Sequence, residues 1–165
     1  MKPVMVLAAA AALAAGCASY DGRTLVPGKS TAAEVEQTMG APAARLQRGA
    51  DAVWYYPRGP VGFHAYAVRI GPDGVMRDIE QRLTTGNVQK LKPGGSTRED
   101  VSELFGPPFV VSSLTRLQRE VWEYQFFDEA FIRRKLWMQF SGDGVLREVL
   151  QMRHPDEDPP GGTKD

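Results

Sequence analysis

Cys17 is the one cysteine among 165 residues, and His64 and His154 are the two histidines. A lone thiol can form no intramolecular disulfide. Neither histidine has a Cys, a second His or a carboxylate at metal-ligand spacing, so no metal is expected. Nucleophilic catalysis needs a base held beside the nucleophile, and no serine stands in a G-x-S-x-G elbow. Gly71-Pro72-Asp73-Gly74 and Gly142-Asp143-Gly144 lack the strand-to-helix setting and the lysine of a phosphate loop, and read as hairpin turns. Glu99, Asp100 and Glu103 fall on a helix face that should be solvated. With 20 basic and 20 acidic side chains the formal net charge is zero, which argues against a general nucleic-acid binder. The chain is expected to be no enzyme and to use no cofactor.

The surroundings of Cys17 give that residue a different chemistry. Lys2 is followed by an alanine-rich apolar run, Val4 to Ala15, too short to span a bilayer, and the run ends Leu13-Ala14-Ala15-Gly16-Cys17. This resembles the signal peptide of bacterial lipoproteins, in which a small residue precedes the cysteine that is acylated. The resemblance implies removal of residues 1–16 and fatty acyl chains, palmitate among them, on the sulfur and amino group of Cys17. Several chains anchor a protein far more firmly than one. Ala18 and Ser19 are not the Asp that marks inner-membrane retention, so the outer membrane is implied. The alternative is an ordinary secretory signal cut near Ala15, leaving a soluble periplasmic protein.

The rest of the chain is built on a stretch that occurs twice. LVPGKSTAAEVEQTMGAP (25–42) and LKPGGSTREDVSELFGPP (91–108) coincide at eight positions when shifted by 66 residues. Pro27-Gly28 and Pro93-Gly94 mark turns. Thr31 with Glu34, and Thr97 with Asp100, have capping-box spacing. Val101, Leu104 and Phe105 lie at i, i+3 and i+4, one face of a helix of about ten residues. Gly40 and Gly106 should end the two helices as left-handed caps. After each helix come strand signals: Trp54-Tyr55-Tyr56 and Trp122-Glu123-Tyr124, then 63–70 and 135–140, then an Asp-Gly turn into 75–83 and 145–153. Thr85 to Leu91 joins the copies and is compatible with one helical turn. The expected organisation is a leader (1–16), a tether (17–24), one module at 25–84, a second at 85–153, and a disordered polar tail at 154–165.

The order Gly-x-Ser/Thr, helix, Gly-x-Pro, Trp-x-Tyr, Asp-Gly-Val resembles the SmpA/OmlA, or BamE-like, family over about residues 25–83 and 88–152. That resemblance implies an α+β fold, with two tandem repeats of a short helical pair packed on a three-stranded antiparallel sheet. It also implies a non-catalytic outer-membrane lipoprotein facing the periplasm. Its role would be scaffold or accessory in outer-membrane protein assembly or envelope integrity. Two such modules are similar in architecture to the β-lactamase inhibitor protein. The alternatives are an inhibitor-like module that binds an envelope enzyme, and a lipoprotein carrying a lipid or cell-wall ligand.

Strand alternation sorts each sheet into two faces. Trp54, Tyr56, Val68 and Ile70, with Trp122, Tyr124, Phe126, Leu136, Met138 and Phe140, should face the helices. On the other face of the second sheet alternation puts Trp137, Leu146, Leu150 and Met152, where a solvated sheet should be polar. These four are either covered by other parts of the chain or exposed to an envelope or barrel-assembly partner. Arg133-Arg134-Lys135 is the densest basic cluster, either a solvated loop or a contact with anionic lipid head groups.

Overall fold

The computed structural model describes residues 21–59 and 62–157. The expected leader, the first half of the tether with Cys17, and residues 158–165 lie outside them. Helix α1 (Ala32–Met39) is followed by strands β1 (Ala44–Arg48), β2 (Asp51–Pro57), β3 (Ala65–Ile70) and β4 (Met76–Gln81). A single helical turn, α2 (Thr85–Val88), leads to α3 (Arg98–Phe105). Strands β5 (Val110–Leu114), β6 (Arg119–Phe127), β7 (Arg133–Phe140) and β8 (Leu146–Arg153) complete the order. Each half therefore makes one antiparallel sheet, β1-β2-β3-β4 and β5-β6-β7-β8. The expectation of a helical pair on three strands is overturned. Each half has four strands and one eight-residue helix, and the fold is mostly β. The unforeseen strands, β1 and β5, lie at sheet edges and are largely solvated. Burial therefore imposes no apolar alternation on them.

The helices begin where the caps say they should. The Thr31 hydroxyl accepts from the N–H of Glu34 at 3.3 Å, and Glu34 accepts from the N–H of Thr31 at 2.7 Å. Thr97 and Asp100 make the same pair of bonds at 3.3 and 2.8 Å, so the shorter carboxylate also closes a capping box. Gly40 and Gly106 end the helices at φ 84° and 77°, but with ψ near 180°. That region belongs almost solely to glycine, and it is not the left-handed helical cap anticipated.

Identical backbone bonds tie the loop before each helix to the Asp-Gly turn. The Gly28 N–H donates to the Met76 carbonyl and the Met76 N–H to the Ser30 carbonyl, both at 2.8 Å. Gly94, Leu146 and Ser96 repeat this at 2.7 and 2.8 Å. Ala32 and Arg98 then donate to the carbonyls of Gly74 and Gly144. With both backbone groups of Met76 and Leu146 engaged by the loop, the next residue bulges. Ile70 pairs with Met76 and Val68 with Ile79; Phe140 pairs with Leu146 and Gln139 with Glu148. The bulge turns Met76 and Leu146 onto the helix side, where both are fully buried.

Val35 and Met39 of α1 pack with Trp54, Tyr56, Val68, Ile70 and Met76. Val101 and Phe105 of α3 pack with Tyr124, Phe126, Leu136, Met138, Phe140 and Leu146. This second core also takes in Ala65, Leu83 and Val88, residues that precede α3 in the chain. The far face of the first sheet, with Val53, Tyr55 and Ala67 buried, meets the back of α3. There the Tyr55 hydroxyl donates to the Glu103 carbonyl at 2.5 Å, and Arg48 pairs with Glu103. A Cβ on Gly106 would lie 2.7 Å from Tyr55 Cδ1. The layers are thus α1, first sheet, α3, second sheet. Tyr55→Phe should lower stability by about 1 kcal/mol, since the Glu103 carbonyl loses its partner. Gly106→Ala should cost about 2 kcal/mol or more, because steric overlap adds to backbone strain. Chemical denaturation midpoints check both values and their order.

Candidate functional site

The far face of the second sheet is the one broad sheet face with no described element stacked on it. Its rows run across the strands. Val121, Gln139 and Glu148 form one, Glu123, Trp137 and Leu150 the next, and Gln125, Lys135 and Met152 the third. Trp137 Nε1 donates to Glu123 Oε2 at 2.7 Å. Glu123 Oε1 accepts from Gln125 at 3.0 Å and pairs with Lys135 at 3.1 Å. Arg119 reaches Gln139 at 2.9 Å and Glu148 at 3.1 Å. Long neighbours shield Gln125 and Gln139, which are 6% and 4% exposed. Trp137, Leu150 and Met152 remain half-buried, an apolar strip beside a polar network. Leu146 does not join them. The bulge described above places it in the core, and strict alternation fails there.

Burial opposes ionisation of Glu123, but bonds from Trp137, Gln125 and Lys135 outweigh it and hold the carboxyl below its ordinary range. A depressed carboxylate contributes stability above its unfolded pKa, near 4.5. That contribution fades as pH falls through the lower folded value.

The basic run is matched by acids. Arg133 faces Asp156 at 3.5 Å and lies over the Phe63 ring at 5.8 Å. Arg134 pairs with Asp128 at 2.7 Å, and Lys135 with Glu123. Of the expected tail, Pro155–Glu157 form a single 3-10 turn. Asp100 is committed to its capping box and Glu103 to Arg48. His154 Nδ1 accepts from the Asp156 N–H at 3.3 Å. Among the described residues no three His, Cys, Asp or Glu side chains gather as a metal site. Cys17, the expected lipid attachment point, lies outside the described residues.

Two features escaped sequence reasoning. Phe131, at the tip between β6 and β7, is 83% exposed with φ 56°. Asp128 accepts from the N–H groups of Ala130 and Ile132 at 2.9 and 3.0 Å, which fixes that turn. The second is β5, exposed along its whole length. The Asp-x-Ala-Phe tip and the charge-free stretch VVSSL were the available signals. A cleft of about 520 Å³ also opens where α3 meets the first sheet, lined by Val53, Tyr55, Arg48, Arg82, Lys90 and Lys92 among others.

Residues 81–149 match the family model for the outer membrane protein assembly factor BamE domain. The second half carries a BamE domain. It runs from the end of β4 into β8 and so includes α2, α3 and most of the second sheet. No curated protein sequence matches the chain. Among solved structures, the chain is similar to YjgB, a DUF4309 family protein of Bacillus subtilis subsp. subtilis str. 168. That match has 19% identity over 79% of this chain and 82% of that one, with a TM-score of 0.32. It is also similar to a candidate β-lactamase inhibitor protein of Streptococcus mutans, at 16% identity over 74% and 82%, with a TM-score of 0.29. At those scores neither likeness bears on fold or function.

Glu123→Gln in the BamE domain should lower stability near neutral pH and flatten its dependence on acid. Wild type should lose the difference as pH falls below about 4.5. Melting temperatures of the two proteins between pH 3 and 7 test this; parallel curves would remove the role given to Glu123.

Proposed function

We propose that this protein is a non-catalytic accessory of outer-membrane protein assembly, a scaffold that works through protein–protein contacts. The BamE-domain match over residues 81–149 carries this reading. Residues 25–84 are proposed as a second, diverged module of the same kind. Its capping box, its loop-to-turn bonds and its four-stranded sheet support that assignment. In this reading residues 1–16 are the leader, and acylated Cys17 holds residues 25–153 at the periplasmic side of the outer membrane.

The docking surface is the strip Trp137, Leu150 and Met152, without Leu146. A half-buried tryptophan among satisfied polar neighbours is the composition of an interface anchor. Arg133, Arg134 and Lys135 would meet anionic head groups by exchanging Asp156, Asp128 and Glu123 for lipid phosphate. The scaffold reading is preferred to a carrier of apolar ligand. The cleft between α3 and the first sheet mixes Val53, Tyr55, Leu91 and Leu104 with Arg48, Arg82, Lys90, Lys92, Asp100 and Glu103, and is no dry apolar pocket.

Crosslinked pull-down from outer membranes should recover barrel-assembly proteins with wild type. Recovery should fall by roughly tenfold with Trp137→Ala or, independently, Leu150→Glu, with melting temperature monitored for each. Cys17→Ala should move to the soluble fraction. Wild type crosslinked to no envelope assembly protein would sink the scaffold role. A membrane-bound Cys17→Ala would sink the anchor.

A further inference from the structure

The two sheets have four edge strands, β1, β4, β5 and β8, and an unprotected edge is a template for another chain. Three of the four are blunted by charge. β1 carries Arg45 and Arg48, paired with Glu36 and Glu103. β4 carries Arg77, Asp78 and Glu80, and β8 carries Arg147, Glu148 and Arg153. β5, Val-Val-Ser-Ser-Leu, has no charge and no proline. It has a neighbour, β6, on one side only.

Six large apolar side chains stand out to solvent among the described residues, and four of them, Val110, Val111, Leu114 and Leu117, lie in this one segment. Their exposures run from 37% at Leu114 to 57% at Leu117. Beside the edge is a concavity of about 660 Å³, lined by Val111 and Leu114 together with Arg98, Gln118, Arg119 and Glu120. An open backbone edge with an adjoining hollow is what strand addition uses. The main-chain bonds give affinity and the hollow selects a side chain.

We propose that β5 is a docking strand, and that its occupant is an extended, uncharged segment of another polypeptide with apolar side chains at alternate positions. A second copy of this chain fits less well. Five residues of paired edge fall short of the roughly 1,000 Å² that a stable dimer buries, whereas a short added strand needs no such area. This goes beyond the assembly role and does not depend on it, since the edge selects by main-chain geometry and lack of charge.

The test uses the purified protein and a defined probe, an end-blocked peptide of alternating threonine and valine, nine residues long. A control peptide has every second valine replaced by proline. Amide hydrogen exchange and titration by NMR should show protection centred on residues 110–114 with the first peptide and none with the control. Val111→Lys with Leu114→Lys should weaken binding by at least about tenfold without lowering the melting temperature, because both positions are solvated. Ser113→Lys is the independent variant should the double change disturb folding. Absence of binding, or protection at β1, β4 or β8 instead, would overturn the proposal. So would self-association of the protein alone, seen by sedimentation and abolished by the same lysines, because the occupant would then be a second copy.

Discussion

Each helix stands where it does because the loop before it is bonded to the hairpin turn behind it. Gly28 and Ser30 hold Met76 from both sides, as Gly94 and Ser96 hold Leu146. These bonds join segments about fifty residues apart, and they set three things together. They fix the first helical residue against Gly74 or Gly144. They aim the helix across its sheet, and they force the bulge that drives Met76 or Leu146 inward. The two motifs that recur along the chain, Pro-Gly-x-Ser-Thr and Asp-Gly-Val, are therefore the two halves of one contact.

Local chemistry was the legible part of the sequence. Capping boxes at Thr31 and Thr97 involve residues three apart, so spacing alone reveals them. Helix-facing residues from Trp54 to Ile70 and from Trp122 to Phe140 follow strict alternation and fell where alternation predicts. Leu146 did not, because its orientation is decided by bonds to Gly94 and Ser96, fifty residues away in sequence. β1 and β5 were hidden for the opposite reason: solvated edges have no burial pattern to read. For the candidate site, Trp137 could be seen to leave the core face. Its partnership with Glu123 depends on cross-strand register, which no single segment encodes.

The two halves do not each enclose a private core. Modules of this size bury little surface alone, and the stack offsets that by using α3 twice. Val101 and Phe105 serve the second sheet, while Glu103 and Gly106 meet Tyr55 of the first. Ala65, Leu83 and Val88 extend the second core backward across the connection. The burial that pushes the Tyr55 hydroxyl above its ordinary pKa comes from this seam.

Equivalent positions on the two far faces carry different chemistry. Where the first sheet presents Val53, Tyr55 and Ala67 and receives a helix, the second presents Val121, Glu123 and Trp137. Glu123 and its three partners satisfy one another's hydrogen bonds beside the half-buried strip of Trp137, Leu150 and Met152. The two far faces therefore receive different things: a helix lies flat on the first, and the second offers a narrow apolar strip beside a polar network.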